Sequence, residues 1–186
     1  MMNKGVLAVV SGFSGAGKGT LMKALLEQYD NYALSISATT RSPRPGEEDG
    51  RDYFFVSRER FEEMIEAGQL IEYAQYVKNY YGTPREYVTS QMEAGKDVIL
   101  EIEIQGALNI KRQFPQALLL FVMPPSAAEL RHRLTSRGTE PEEVIENRLK
   151  RALEEAEGIE NYDYILINDK VEECVRQMHQ LIQDHH

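Results

Sequence analysis

The chain has 186 residues, of which 42% are hydrophobic and 27% charged, the length and balance of one soluble globular domain. Its 21 Lys and Arg against 30 Asp and Glu give a formal net charge of −9, which argues against a nucleic-acid duplex or an anionic membrane as partner but not against a small anion held by a local cluster. The single cysteine, Cys174, excludes an internal disulfide and a cysteine metal cluster, and the apolar run Val6 to Val10 is too short for a signal sequence or a membrane span, so a reducing cytoplasm is the expected location.

Val6-Leu7-Ala8-Val9-Val10 is a β-branched-rich run, the pattern of a strand buried on both faces. A Gly/Ser stretch follows, and then Leu21, Met22, Leu25, Leu26 and Tyr29 recur with helical spacing. Residues 35–81 differ. Ile36, Tyr53 to Val56 and Leu70 to Val77 alternate like short, one-sided strands around a helix whose apolar face is Phe61, Met64 and Ile65, ending at Gly68. Thr83-Pro84-Arg85-Glu86 predicts a helix start, with Pro at the first helical position and Gly95 beyond the end.

Further on, Val98-Ile99-Leu100, Leu118 to Met123 and Tyr164 to Ile167 predict three more buried strands. Ser126 with Glu129, and Thr139 with Glu142, have capping-box spacing. The alternation of strands and helices implies an α/β fold with a mostly parallel sheet, helices on both faces and a small inserted α+β subdomain.

Gly12-Phe13-Ser14-Gly15-Ala16-Gly17-Lys18 satisfies the G-x-x-x-x-G-K pattern of a P-loop, placed between a buried strand and a helix as that motif requires. Glycines let backbone N–H groups turn inward around phosphate oxygens, the helix start adds partial positive charge, and Lys18 reaches the β- and γ-phosphates. Gly19 follows Lys18 where a magnesium-binding Ser or Thr is usual. Thr20 either substitutes, or Mg²⁺ keeps its waters and binds mainly phosphate oxygens. No N-K-x-D guanine tetrapeptide is present, which argues against a GTPase.

Beside Ser11 to Thr20 stand Thr39-Thr40-Arg41-Ser42-Pro43-Arg44-Pro45-Gly46-Glu47, Gly50-Arg51-Asp52-Tyr53-Phe54, Tyr81-Gly82-Thr83, Ile102-Glu103-Ile104-Gln105-Gly106, Arg137-Gly138-Thr139-Glu140 and Asn147-Arg148-Leu149. On these segments the chain resembles guanylate kinase, which phosphorylates GMP with ATP. The Thr-Arg-x-Pro-Arg segment is the most specific. By this resemblance the fold is a P-loop core (1–34, 96–125 and 153–186) with a GMP-binding subdomain (35–95) and a helical lid (126–152), together one guanylate-kinase-like domain.

Arg41 and Arg44 lie in a Pro-braced loop, and guanidiniums grip phosphate bidentately. Read from the residues alone they form either a phosphate clamp or a solvated basic turn, and Tyr53 and Tyr81 are either phosphate donors or packed aromatics. The resemblance implies that all four hold the GMP phosphate. It also assigns Glu72 to guanine, whose N1–H and N2–H₂ need the two acceptors a carboxylate supplies, although a strand's polar face is the simpler reading of Glu72. Ser37 and Thr83 then reach the base and Glu101 assists, while Thr83 doubles as a helix N-cap.

On the donor side the resemblance implies that Gly12, Phe13, Ser14, Gly15, Ala16, Gly17, Lys18, Gly19 and Thr20 bind ATP. Asn168 and Asp169 stand where the family binds adenine, and Arg133, Arg137 and Arg148 resemble the lid arginines that close over the transferring group. Arg131 reads as a merely ion-paired surface residue and His132 and His179 as surface or packing residues. The implied partners are ATP and GMP or dGMP with Mg²⁺, and the oligomeric state stays open, a homo-oligomer included. The acceptor phosphate is ionised at neutral pH, so no general base is needed, and Lys18, Mg²⁺ and the arginines act by positioning and charge stabilisation. The rival from another class is a non-catalytic interaction module of the same fold.

Overall fold

The run Leu7–Gly12 forms β1, the middle strand of a five-stranded sheet ordered β2-β7-β1-β8-β9 in the computed structural model. That structure describes residues 4–76, 78–136 and 142–186, with the backbone alone for Tyr76, Arg151, Leu153, Glu154 and Glu155. The other strands are β2 (Tyr32–Leu34), β7 (Asp97–Glu101), β8 (Leu118–Met123) and β9 (Tyr164–Ile167). All four pairings are parallel, with Val9 opposite both Leu100 and Leu119.

The α/β expectation is met. A continuous apolar run suits a strand flanked on both edges, and Ala8, Val9, Val10, Leu100 and Leu118 to Val122 are all fully buried, whereas β9, expected to be buried, lies at the sheet edge with Tyr164, Ile165 and Ile167 exposed. β2 was not foreseen, because its three residues carry no periodicity long enough to register. The parallel register sets Val10 opposite Glu101, Gly12 opposite Val122 and Met123 opposite Ile167. One edge of the sheet therefore carries every carboxyl end, the place where open α/β sheets bind ligands.

Helices α1 (Lys18–Gln28) and α7 (Val171–Gln183) pack on each other, and α3 (Arg85–Glu93) and α4 (Ile104–Gln113) tie this sheet to the smaller one. The buried Asp97 carboxylate accepts from the Val6 N–H at 2.8 Å, Asn31 Nδ2 at 2.9 Å and Gln183 Nε2 at 2.9 Å. These donors satisfy a polar group that would otherwise be costly to bury. Cys174 lies in the core, where burial pushes its thiol up to about 11.

The insert is a four-stranded mixed sheet ordered β4-β3-β6-β5: β3 (Ala38–Thr39), β4 (Phe54–Phe55), β5 (Leu70–Tyr76) and β6 (Asn79–Pro84), so Ile36 lies outside any strand, against expectation, and β6, which pairs with both β3 and β5, is a strand the sequence pattern does not signal. Its own core is Ala38, Phe61, Met64 and Leu70, with Tyr80 stacked on Phe61 at 5.1 Å. Phe61 and Met64 come from α2 (Arg58–Glu66), capped by the Ser57 hydroxyl, which accepts from the Arg60 N–H. Gly68 follows at φ 63°, a conformation that favours glycine.

The start of α3 departs from expectation. Pro84 is its cap, at φ −62° and ψ 124°, and Thr83 stays in β6 with its hydroxyl turned to Glu72, so it caps nothing. In the lid, α5 (Ala127–Ser136) begins with Ser126 accepting from the Glu129 N–H, half of the capping box, while the Glu129 carboxylate turns instead to Arg133. α6 (Glu142–Ala156) follows, and Thr139 lies outside the described residues.

Candidate active site

Two of the cavities at the carboxyl edge of the main sheet share a lining residue. One, of about 420 Å³, is lined by Ser14, Gly15, Gly17, Lys18, Gly19, Thr20 and Glu101. The other, of about 520 Å³, takes Ser37, Tyr53, Glu72, Gln75, Tyr81 and Glu103 among its walls, and again Glu101. Glu101 ends β7 and so stands between them. Its segment is latched to the P-loop strand by Ser11 Oγ, which donates to the Ile102 carbonyl at 2.7 Å.

The first cavity is made largely of backbone. Gly15 and Gly17 have φ of 92° and 90°, conformations that favour glycine and turn the loop around an empty centre. α1 begins at Lys18 with no side chain capping it, so its first-turn N–H groups remain available to an anion. Lys18 Nζ donates to the carbonyls of Gly12 at 2.8 Å and Phe13 at 3.2 Å, folded along the loop it serves. A Cβ at Gly19 would meet nothing within 4 Å, so the usual Ser or Thr would fit there, and exposed Thr20 is the hydroxyl that remains.

Helices α5 and α6 reach the same loop. Arg148 Nη1 donates to Ser14 Oγ at 3.2 Å, and Arg133 reaches the Ala16 and Asn168 carbonyls while its Nε donates to Glu129 at 2.7 Å. Arg131 is ion-paired to Glu142 and Glu146, as expected of a surface residue. His179 also behaves as expected, stacked on Tyr29 at 3.7 Å and hydrogen-bonded to the Tyr32 hydroxyl at 2.7 Å. Arg137 lies outside the described residues. Asp169 is exposed, whereas Asn168 is 3% exposed with its amide donated to the Ala16 carbonyl at 2.8 Å.

The second cavity is made of side chains. Glu72 Oε1 accepts from Thr83 Oγ1 at 2.7 Å. Burial lifts the Glu72 carboxyl above the ordinary carboxylate range, the Thr83 hydrogen bond opposes that rise and the nearby Glu103 charge adds to it. Thr83 is itself fully buried and does not line the cavity, so it orients Glu72 rather than facing the space directly. Gly82 permits this closeness, since a Cβ there would lie 2.9 Å from the Glu72 carbonyl oxygen. Glu103 caps α4, accepting from the Gln105 and Gly106 N–H groups at 2.8 Å each. Gln75 and the capping role of Glu103 were not foreseen, because only the fold of β5 and the turn into α4 bring them here.

Tyr53 and Tyr81 meet edge to face at 6.1 Å on the cavity wall. Arg41 lies over Tyr53, 5.1 Å from the ring centroid, and makes a two-pronged ion pair with Glu47 at 2.8 and 2.9 Å. Glu47 also accepts from the Arg44 N–H at 2.7 Å. Hydrogen bonds from Arg41 and from that backbone hold its carboxyl down at about 2. The order that Pro43 and Pro45 predict in this loop therefore comes in good part from Glu47. The Arg44 side chain is exposed.

The donor set suits magnesium. Thr20 and Glu101, both among the residues lining the first cavity, carry side-chain oxygens, and among the described residues no group of three His, Cys, Asp or Glu forms an all-protein cage. Mg²⁺ commonly binds through one or two protein oxygens, phosphates and water.

The family profile described as Guanylate kinase matches residues 4–185. The guanylate kinase of Oceanobacillus iheyensis is 52% identical over 183 residues, 98% of this chain and 89% of that one. That of Bacillus subtilis is 52% identical over 173 residues, 92% of this chain and 85% of its own. The crystal structure of guanylate kinase from Anaplasma phagocytophilum superposes with a TM-score of 0.76 at 34% identity, over 98% of this chain and 86% of that one. With a P-loop cavity and a carboxylate-walled cavity meeting at Glu101, and likeness of this extent along nearly the whole chain, the protein belongs to the guanylate kinase family.

Proposed function

We infer that this chain transfers the terminal phosphoryl group of ATP to the phosphate of GMP, yielding ADP and GDP. The observation that carries this is the shared wall. A backbone cradle for a polyphosphate and a side-chain cavity with a held carboxylate open on either side of Glu101.

The triphosphate lies along residues 12–20, with loop N–H groups and the first turn of α1 as donors and Lys18 at the β- and γ-phosphates. GMP takes the second cavity. Its base presents N1–H and N2–H₂ to Glu72, with Ser37 beside it and Thr83 behind, and Tyr53, Tyr81, Arg41 and Arg44 bind its phosphate. Arg41 exchanges Glu47 for that phosphate, trading one two-pronged partner for another. Thr20 and Glu101 would hold magnesium, whose charge, when bound, offsets that of the β- and γ-phosphate oxygens.

The acceptor oxygen carries no proton at neutral pH, so the chain's task is alignment and charge stabilisation. Arg133, Arg137 and Arg148 approach the transferring group from the lid, and lid closure keeps water from competing as acceptor. Acceptance of dGMP follows from a recognition set aimed at base and phosphate. A place in purine nucleotide metabolism and a cytoplasmic location fit that chemistry. No described helix is long and apolar enough to cross a membrane. The non-catalytic scaffold reading has no observation in its favour.

The test is an ADP-release assay with ATP and Mg²⁺, offering GMP, dGMP, AMP, UMP and CMP in turn. Turnover with GMP and dGMP alone is expected. Turnover confined to another nucleotide, or with none, overturns the reading.

A further inference from the structure

The Ala16 carbonyl is gripped from two sides. It accepts from Asn168 Nδ2 at 2.8 Å and from Arg133 Nη1 at 3.4 Å, and Arg133 Nη2 donates in turn to the Asn168 main-chain carbonyl at 2.9 Å. Glu129 holds the far edge of the guanidinium through Nε. Asn168 fills the space that a side chain at Gly17 would need, since a Cβ there would lie 2.6 Å from Asn168 Nδ2.

The peptide bond gives this grip a consequence. In a trans peptide the C=O of one residue and the N–H of the next point in opposite directions. A carbonyl of Ala16 drawn toward Asn168 and Arg133 turns the Gly17 N–H the other way, toward the cavity that Gly15, Gly17 and Lys18 line. The left-handed conformation of Gly17, at φ 90°, completes the turn.

We propose that Asn168 is a positioning residue of the phosphate cradle: its buried side-chain amide N–H pins the Ala16–Gly17 peptide so that the Gly17 N–H faces the polyphosphate. The inference rests on the kinase reading for the identity of the polyphosphate and gives that side-chain N–H a partner other than adenine. Arg133 joins the same peptide to the lid, so lid and cradle share one anchor.

The probe is inorganic tripolyphosphate, a polyphosphate without a base. In the full chain, Asn168→Ala keeps the main-chain carbonyl for Arg133 and removes only the amide. Its affinity for ATP and for tripolyphosphate is expected to fall by the same factor, about tenfold, with GMP affinity and the preference for ATP over GTP as donor unchanged. Loss of ATP affinity with tripolyphosphate affinity retained, a changed donor preference, or no change in either affinity overturns the proposal.

Should that variant fail to fold, the wild-type chain supplies a second measurement. The Gly17 amide proton is expected to shift on adding tripolyphosphate in an ¹⁵N-resolved NMR titration, and an unmoved resonance overturns the proposal. If the wild type binds tripolyphosphate yet phosphorylates no nucleotide, the kinase reading fails and this one stands.

Discussion

The P-loop cavity and the Glu72 cavity, to which we assign donor and acceptor respectively, share Glu101 as a lining residue but are built on opposite principles. The donor cavity is backbone, folded by glycines at φ near 90° and braced on a sheet whose central strands are fully buried. The acceptor cavity is side chains, carried on a small sheet whose core is Ala38, Phe61, Met64 and Leu70. A polyphosphate presents many equivalent oxygens, which N–H groups and a helix start satisfy without base discrimination. A base presents a particular pattern of donors and acceptors, which only oriented side chains can match. The difference predicts that damage to one half leaves binding in the other half intact.

The largest expected effect falls on an arginine of the insert that we propose for the GMP phosphate. Arg44→Ala should lower turnover by about 10³-fold or more, the scale of an arginine that stabilises transferring charge. The fold and ATP affinity should survive, as steady-state kinetics and a thermal melt will check. Near wild-type turnover would remove Arg44 from the machinery.

Phe61→Ala strikes the acceptor half through its core. Truncating a fully buried Phe costs about 3–5 kcal/mol, and here the loss falls on the insert. Calorimetry should show GMP binding lost while ATP binding remains. If ATP binding is lost as well, the halves are not independent.

Gly17→Ala is the counterpart in the donor half. Its Cβ would crowd Asn168 Nδ2 at 2.6 Å and its φ would be strained, a cost of about 1–3 kcal/mol. The KM for ATP should rise sharply while GMP affinity holds.

Thr83→Val is the mildest. Removing one hydrogen bond to a carboxylate costs about 1.5–3 kcal/mol at most, and the KM for GMP should rise about tenfold or somewhat more with little change for ATP. It also has a sign in pH. Burial already raises the Glu72 carboxyl and Thr83 opposes that rise, so in the variant GMP affinity should begin to fall at a higher pH than in the wild type. Stability of the unliganded chain runs the other way. A raised carboxyl binds its proton more tightly in the folded state, so this contribution to stability is full below the ordinary Glu pKa and is lost as pH rises through the folded value. A GMP titration and urea melts across pH, on both proteins, would show both trends or refute them.

Much of the donor half was legible in the sequence, because a P-loop is a local device. Strand, glycines, lysine and helix are contiguous, and each constraint acts within a few residues. The small insert was legible as a subdomain with Phe61, Met64 and Ile65 on one helix face. Less local features were hidden. Thr83 reads as a helix cap when only its neighbours are considered, and β6 instead turns its hydroxyl to Glu72 across the sheet. Glu47 sits visibly in its motif, yet its bonds to Arg41 and to the Arg44 backbone depend on how the loop closes.

The sequence by itself determined the α/β class, the phosphate loop, the inserted subdomain and the set of arginines, tyrosines and carboxylates available for nucleotide chemistry. These follow from periodicity and from residue types whose physical uses are few. Only the tertiary structure decided which of them act in concert. Parallel register brought Glu101 to the wall between two cavities, and the end of β9 buried Asn168 against Ala16, 152 residues away along the chain. Contacts over such separations depend on the register of whole strands, a property of the assembled sheet that no short stretch of residues carries.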